Sequence, residues 1–165
     1  MILSLGTWPN GKLWLECLRA FGVYAGIALF VGLCLGHFKL GLCHDPPVRL
    51  LRFAAIALLV PSLSEELVFR AILLPDPKQI ASSGSGLVRT FTALALFVVW
   101  HPINGLLLKT EASQTFLDPV FLLLATLLGG CCTFVYLRTG SIWPSTLIHW
   151  LSLVSWKAFL GGRIF

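Results

Sequence analysis

The chain has 165 residues, 57% of them hydrophobic and only 12% charged, with a mean hydropathy of +0.88. A water-soluble domain carries about 25% charged residues, so this composition excludes an ordinary soluble globule and points to one multi-pass membrane domain over residues 1–165. The net charge of +5 does not indicate a nucleic-acid partner, because the twelve Lys and Arg stand singly or in pairs at the ends of apolar runs, where flanking residues of membrane helices belong.

The opening "MILSLGTWPNGKLW" has neither a basic n-region nor an A-x-A site, so it does not read as a removable signal peptide. Five apolar segments follow, each near the ~20 residues that an α-helix needs to cross ~30 Å of hydrocarbon. They run from about Leu13 to Leu35, Leu50 to Leu74, Val88 to Leu108, Phe116 to Leu137 and Ile142 to Leu160. Helices are expected because lipid offers backbone polar groups no partners. The first segment carries Gly22-x-x-x-Gly26 and Gly32-x-x-x-Gly36, and the fourth carries Gly129, Gly130, Cys131 and Cys132. These small residues predict close helix packing inside the bundle, with dimerisation as the lesser alternative. The linkers are a Pro-Pro stretch at 36–49, a Ser/Gly-rich stretch at 76–86, "KTEASQTFLDP" and "RTGSIWP". Basic residues flank both ends of the bundle almost equally, so no topology follows. The five cysteines form no C-x-x-C pair and read as small buried hydrophobes.

The second segment holds residues that hydrocarbon disfavours: Glu65, Glu66 and Arg70 in "PSLSEELVFR". An ionised carboxylate near the bilayer centre costs about 2.5–3.5 kcal/mol even on lenient scales, so such groups face the bundle interior and find partners. Arg70 lies four residues after Glu66 on one helix face, which predicts an ion pair and leaves Glu65 the less neutralised carboxylate. Pro61 breaks the helix upstream, and Ser62-x-x-Glu65 reads as a capping box opening a new helical start. On that structural reading Glu65 caps, Glu66 pairs and no chemistry follows. His101, in "LFVVWHPIN", and His149, in "PSTLIHWLSLVSW", alter the balance. Pro102 predicts a bend or end of the third helix at His101. Two glutamates and two histidines on three helices predict a shared polar cluster at bilayer depth. A carboxylate and an imidazole beside a water can remove its proton and return it to a leaving amine. A second histidine can stabilise a tetrahedral oxyanion. Ser62, Ser64, Ser145 and Ser152 sit in no G-x-S-x-G elbow, so serine nucleophilic catalysis is disfavoured. His and Glu also ligate zinc, but H-E-x-x-H is absent and the ligands would lie on separate helices. No metal or other cofactor is expected, with a required metal as the lesser alternative.

Glu65-Glu66-x-x-x-Arg70, then Phe97-x-x-x-His101, then a late His149 resembles the CPBP family (CAAX proteases and bacteriocin-processing enzymes, also called Abi), which includes the type II CAAX prenyl endopeptidases. The resemblance covers Ser62 to Trp156. It implies an all-α transmembrane bundle and a glutamate-dependent intramembrane endopeptidase of a bacterial cell membrane, acting among membrane lipids on a membrane-anchored protein or peptide. Glu65 and Glu66 would activate water with His101 assisting, Arg70 would orient the glutamates, and His149 would hold the oxyanion. Phe97 would pack beside His101. The family's third motif places Asn or Asp four residues after the histidine, and Leu153 stands there. Asn104 and Ser152 are the nearby groups able to donate instead. The runner-up is a non-catalytic protein of the same fold, serving bacteriocin immunity or partnering another membrane protein. A proton-coupled transporter comes third, since the chain shows no inverted repeat. The residues leave the oligomeric state open.

Overall fold

The computed structural model describes residues 2–74, 85–108 and 113–162. Helix α1 is Ile2–Gly6, α2 is Gly11–Cys34, α3 is Pro47–Ile72, α4 is Ser85–Leu108, α5 is Ser113–Leu117, α6 is Pro119–Thr139 and α7 is Ile142–Phe159. Four of them, α2, α3, α4 and α6, are long and apolar enough to cross a membrane. The fifth predicted segment forms α7, which is less apolar because Ser145, Thr146, His149 and Lys157 interrupt it, and all four are buried. That helix runs through the middle of the bundle, packed against α1, α2, α3 and α6. Large apolar side chains such as Val23, Phe30, Leu51, Phe91 and Leu107 point outward on the long helices. In water such a surface would aggregate; on a membrane protein it is the surface that lipid covers.

The helix boundaries have local causes. Asn10 Oδ1 accepts from Leu13 N at 3.0 Å, Asp118 Oδ1 from Val120 N at 2.9 Å, and Ser141 Oγ from Trp143 N at 3.3 Å, so α2, α6 and α7 each begin on a side-chain cap. Gly36, at φ +70°, ends α2 by turning the chain where a side chain would be strained. The segment after it lies along the end of α7. Lys39, Gly41 and Cys43 donate their backbone N–H groups to the carbonyls of Leu160, Phe159 and Ala158 at 3.1, 3.0 and 2.8 Å. A helix leaves its last carbonyls without partners, and this strand-like stretch supplies them.

Several expectations change. α6 starts at Pro119, and Phe116 belongs instead to the short helix α5. The Ser/Gly-rich linker at 76–86 lies almost wholly outside the described residues. A Cβ on Gly22 or Gly26 would meet nothing within 4 Å, so that pair does not mediate packing inside the bundle, whereas Gly129 does. Of the cysteines, Cys17 and Cys132 are buried, Cys43 and Cys131 are intermediate, and Cys34 is exposed on the outer face.

Candidate active site

Pro61 dictates the shape of α3. The residue before a proline is pushed out of the helical region, and Val60 sits at φ −136°, ψ 115° in the middle of the span. Beyond this kink, Ser64–Glu66 continue as α-helix and Leu67–Ile72 as wider π-helical turns. The predicted capping box does not form. Ser62 Oγ is buried with no partner among the described residues, and Ser64 Oγ donates to Pro61 O at 3.1 Å. Glu65 is thereby free to turn to other helices.

Glu66 is fully buried and held from two sides. Arg70 Nη1 donates to Glu66 Oε1 at 3.0 Å, as the i,i+4 spacing predicts, and His149 Nδ1 lies 3.2 Å from the same oxygen. Arg70 Nη2 donates to the carbonyl of Gly129 on α6 at 2.9 Å, and its guanidinium carbon stands 4.4 Å above the Phe97 ring. A buried charge of this kind is tolerated only when its donors are met on all sides, and here three helices meet them. Glu65 Oε1 accepts from Trp100 Nε1 at 3.2 Å, while Glu65 Oε2 faces His149 Nε2 at 3.9 Å. That gap is too long for a direct hydrogen bond. Glu65 Oε2 and Glu66 Oε2 are both buried and meet no donor among the described residues.

Phe97 spaces the histidines. Its ring is 5.0 Å from His101, 6.1 Å from His149 and 5.3 Å from Phe69, edge-on to each. It fits because Gly129 has no side chain: a Cβ there would lie 2.8 Å from Leu94 Cδ1 and 2.8 Å from Phe97 Cδ1. Gly129→Ala is therefore expected to displace Phe97 and loosen the Arg70 contact on the same residue. The cost should be about 1–3 kcal/mol, read as a lowered melting temperature of the lipid-reconstituted protein.

His101 does not end its helix; α4 runs through Pro102 to Leu108. In a bundle the groups freed by such a proline find other partners. His101 Nδ1 donates to Phe97 O at 2.9 Å, one residue before the carbonyl that Pro102 leaves without its N–H. The nitrogen left over on the neutral ring, Nε2, is then an acceptor. His101 and His149 line one cavity of about 60 Å³, together with Tyr24, Phe121, Ser152 and Leu153.

The structure thus gathers Glu65, Glu66, Arg70, Phe97 and His149 directly, with His101 against Phe97 and on the cavity that His149 also lines. His149, rather than His101, is the ring beside the carboxylates. Ser152 borders the cavity, but its hydroxyl donates to Ile148 O at 2.8 Å. Asn104 is half-buried one turn beyond His101 and does not line that cavity. Two contributors escaped the sequence reading: Trp100, whose signal was its place one turn after Phe97, and the Gly129 carbonyl, which leaves none. Among the described residues no three His, Cys, Asp or Glu side chains are arranged to hold a metal ion.

Fold and site together define a polytopic helical membrane protein with a buried carboxylate–histidine centre. The model of the type II CAAX prenyl endopeptidase Rce1-like family matches residues 47–154, well over half the chain, and the protein belongs to that family. It is a family of proteases, and the matched stretch contains Glu65 through His149 but neither α1 nor α2. No curated protein and no solved structure matches the chain.

Proposed function

We propose that the protein is an intramembrane endopeptidase that hydrolyses a peptide bond of a membrane-anchored substrate, prenylated CAAX-type proteins included. The observation that carries this reading is the pair of facing atoms Glu65 Oε2 and His149 Nε2, 3.9 Å apart, with the glutamate oxygen buried and short of a donor. One water spans such a distance.

Glu65 takes a proton from that water, and the hydroxide adds to the substrate carbonyl carbon. The tetrahedral intermediate collapses, the C–N bond breaks, and the proton on Glu65 passes to the leaving amine. Glu66 holds Nδ1–H of His149 and so keeps Nε2 turned to Glu65, in the manner of a carboxylate orienting a catalytic imidazole. Arg70 balances Glu66, so that the charge fixing His149 is met locally and Glu65 remains the reactive carboxylate. His101, packed against Phe97, borders the same cavity as His149.

The test is cleavage of lipid-tethered peptides, with and without a prenylated cysteine, by purified protein in vesicles, each with and without a chelator. Cleavage that is indifferent to chelator is the expected result; loss with chelator would replace Glu65 by a metal as the activator of water. Leu153 favours a second reading, a non-catalytic membrane partner of the same fold, because it gives the chamber an apolar wall where a donor would serve an oxyanion. Absence of cleavage from every peptide, with the protein folded, selects that reading.

A further inference from the structure

His37 lies just beyond the end of α2, outside the stretch that defines the family, and the mechanism above makes no use of it. Its side chain is nevertheless 91% buried, being only 9% exposed. Nδ1 is 2.7 Å from Asp118 Oδ2, across 81 residues of sequence. Asp118 is itself fixed, since its other oxygen caps α6. The ring is stacked on Trp156 at 5.5 Å and an interplanar angle of 26°. Nε2, the other nitrogen, is buried and has no hydrogen-bond partner among the described residues. With Nδ1–H committed to Asp118, Nε2 of the neutral ring is an acceptor. An unmet buried acceptor is destabilising, so its retention calls for a partner.

Two cavities meet at this ring. One is the chamber of about 60 Å³ that His101 and His149 line. The other is a cavity of about 420 Å³ at the end of the bundle, walled by Lys39, Gln114, Thr115 and Asp118. His37 and Trp156 line both. The larger cavity lies within the size range of ligand clefts, and its wall is polar where the outer face of the bundle is apolar. A peptide suits this geometry: it has main-chain N–H groups to offer Nε2, and it must bring a polar backbone to carboxylates buried among helices.

We propose that His37, held by Asp118 and stacked on Trp156, is the neck through which the substrate peptide passes from the polar cavity to the chamber lined by His101 and His149, with Nε2 accepting a hydrogen bond from the peptide main chain. This rests on the peptidase reading for the identity of the ligand. His37 is a binding group and takes no part in moving the proton.

The experiment compares wild type with His37→Phe, which keeps the stack on Trp156 and removes both ring nitrogens. The probe is a fluorescent lipid-tethered peptide bearing a prenylated cysteine four residues from its C-terminus. KM should rise about tenfold with kcat within about twofold, the pattern of a lost binding contact. The Kd of the same peptide for Glu65→Gln protein should weaken by the same factor when His37→Phe is added. Unchanged KM and Kd overturn the proposal, as does a joint fall of kcat and melting temperature, which would make His37 a packing residue. If His37→Phe does not fold, Gln114→Trp, which puts bulk into the polar cavity, must raise KM and Kd, and failure to do so overturns it equally. The two readings fail separately. Cleavage that ignores both substitutions removes the neck alone. His37-dependent binding without cleavage removes the peptidase alone, and absence of both removes the two together.

Discussion

Glu65→Gln is expected to lower cleavage by at least about a thousandfold while leaving the fold intact. General acid–base groups contribute about 10²–10⁴, and this carboxylate is asked both to take and to return the proton. The amide has nearly the same shape and keeps an oxygen for Trp100 Nε1, so the melting temperature in lipid should barely move. Glu66→Gln should behave differently, because it removes the charge that Arg70 and His149 share and disturbs stability along with turnover. Equal residual activity in Glu65→Gln and wild type would end the proposed mechanism. A partner protein without catalysis would keep its role in the variant, and a transporter would show altered pH-dependent flux.

Arg70→Ala should destabilise the protein by about 3–5 kcal/mol, measured as a shift of the thermal or denaturant transition in lipid or detergent. The loss comes less from the missing attraction than from Glu66, stranded as a charge without exposure to water. Arg70→Lys should recover little of it. One ammonium cannot at once bond Glu66, reach the Gly129 carbonyl and lie flat on Phe97, all of which the planar guanidinium does. The double change Glu66→Leu with Arg70→Met separates the causes. It should restore most of the stability, since an apolar pair of similar volume removes the stranded charge, yet it should leave the protein inactive because His149 loses its anchor.

What was legible in the sequence follows from what is local. The apolar runs are continuous stretches of sequence, and the kink before Pro61, the Glu66–Arg70 pair and the contact of Phe97 with His101 depend on spacings of about one turn; each appears in the fold. The misreadings arose where tertiary contacts override local rules. Ser62 and Glu65 match a capping box, but Glu65 finds Trp100 on another helix. Of the bend or end expected at Pro102, the end does not occur, and α4 continues to Leu108 with the His101 ring bonding the Phe97 carbonyl of the same helix. The seat of Phe97, against which both histidine rings lie, depends on the room that Gly129 leaves on α6, and no spacing within α4 or α7 encodes that. The least legible feature is His37 with Asp118: one sits in a mixed loop, the other before a proline, and only the folded chain brings them together.

The choice of a main-chain acceptor for Arg70 has a consequence for how the protein can vary. Every peptide unit carries a carbonyl, so no substitution along α6 can delete the oxygen that Arg70 Nη2 grips. The outward side chains of that helix are free to drift with the lipid they meet, while the tether between α3 and α6 persists. At this tether the constraint falls on one position, Gly129, where the same residue offers the oxygen and leaves the room beside it. Mutational tolerance on the lipid-facing side of α6 should therefore be broad, while at the Arg70 contact itself the demand is set by backbone chemistry and by the room at Gly129, beside the ordinary packing demands on buried residues such as Cys132 and Val135.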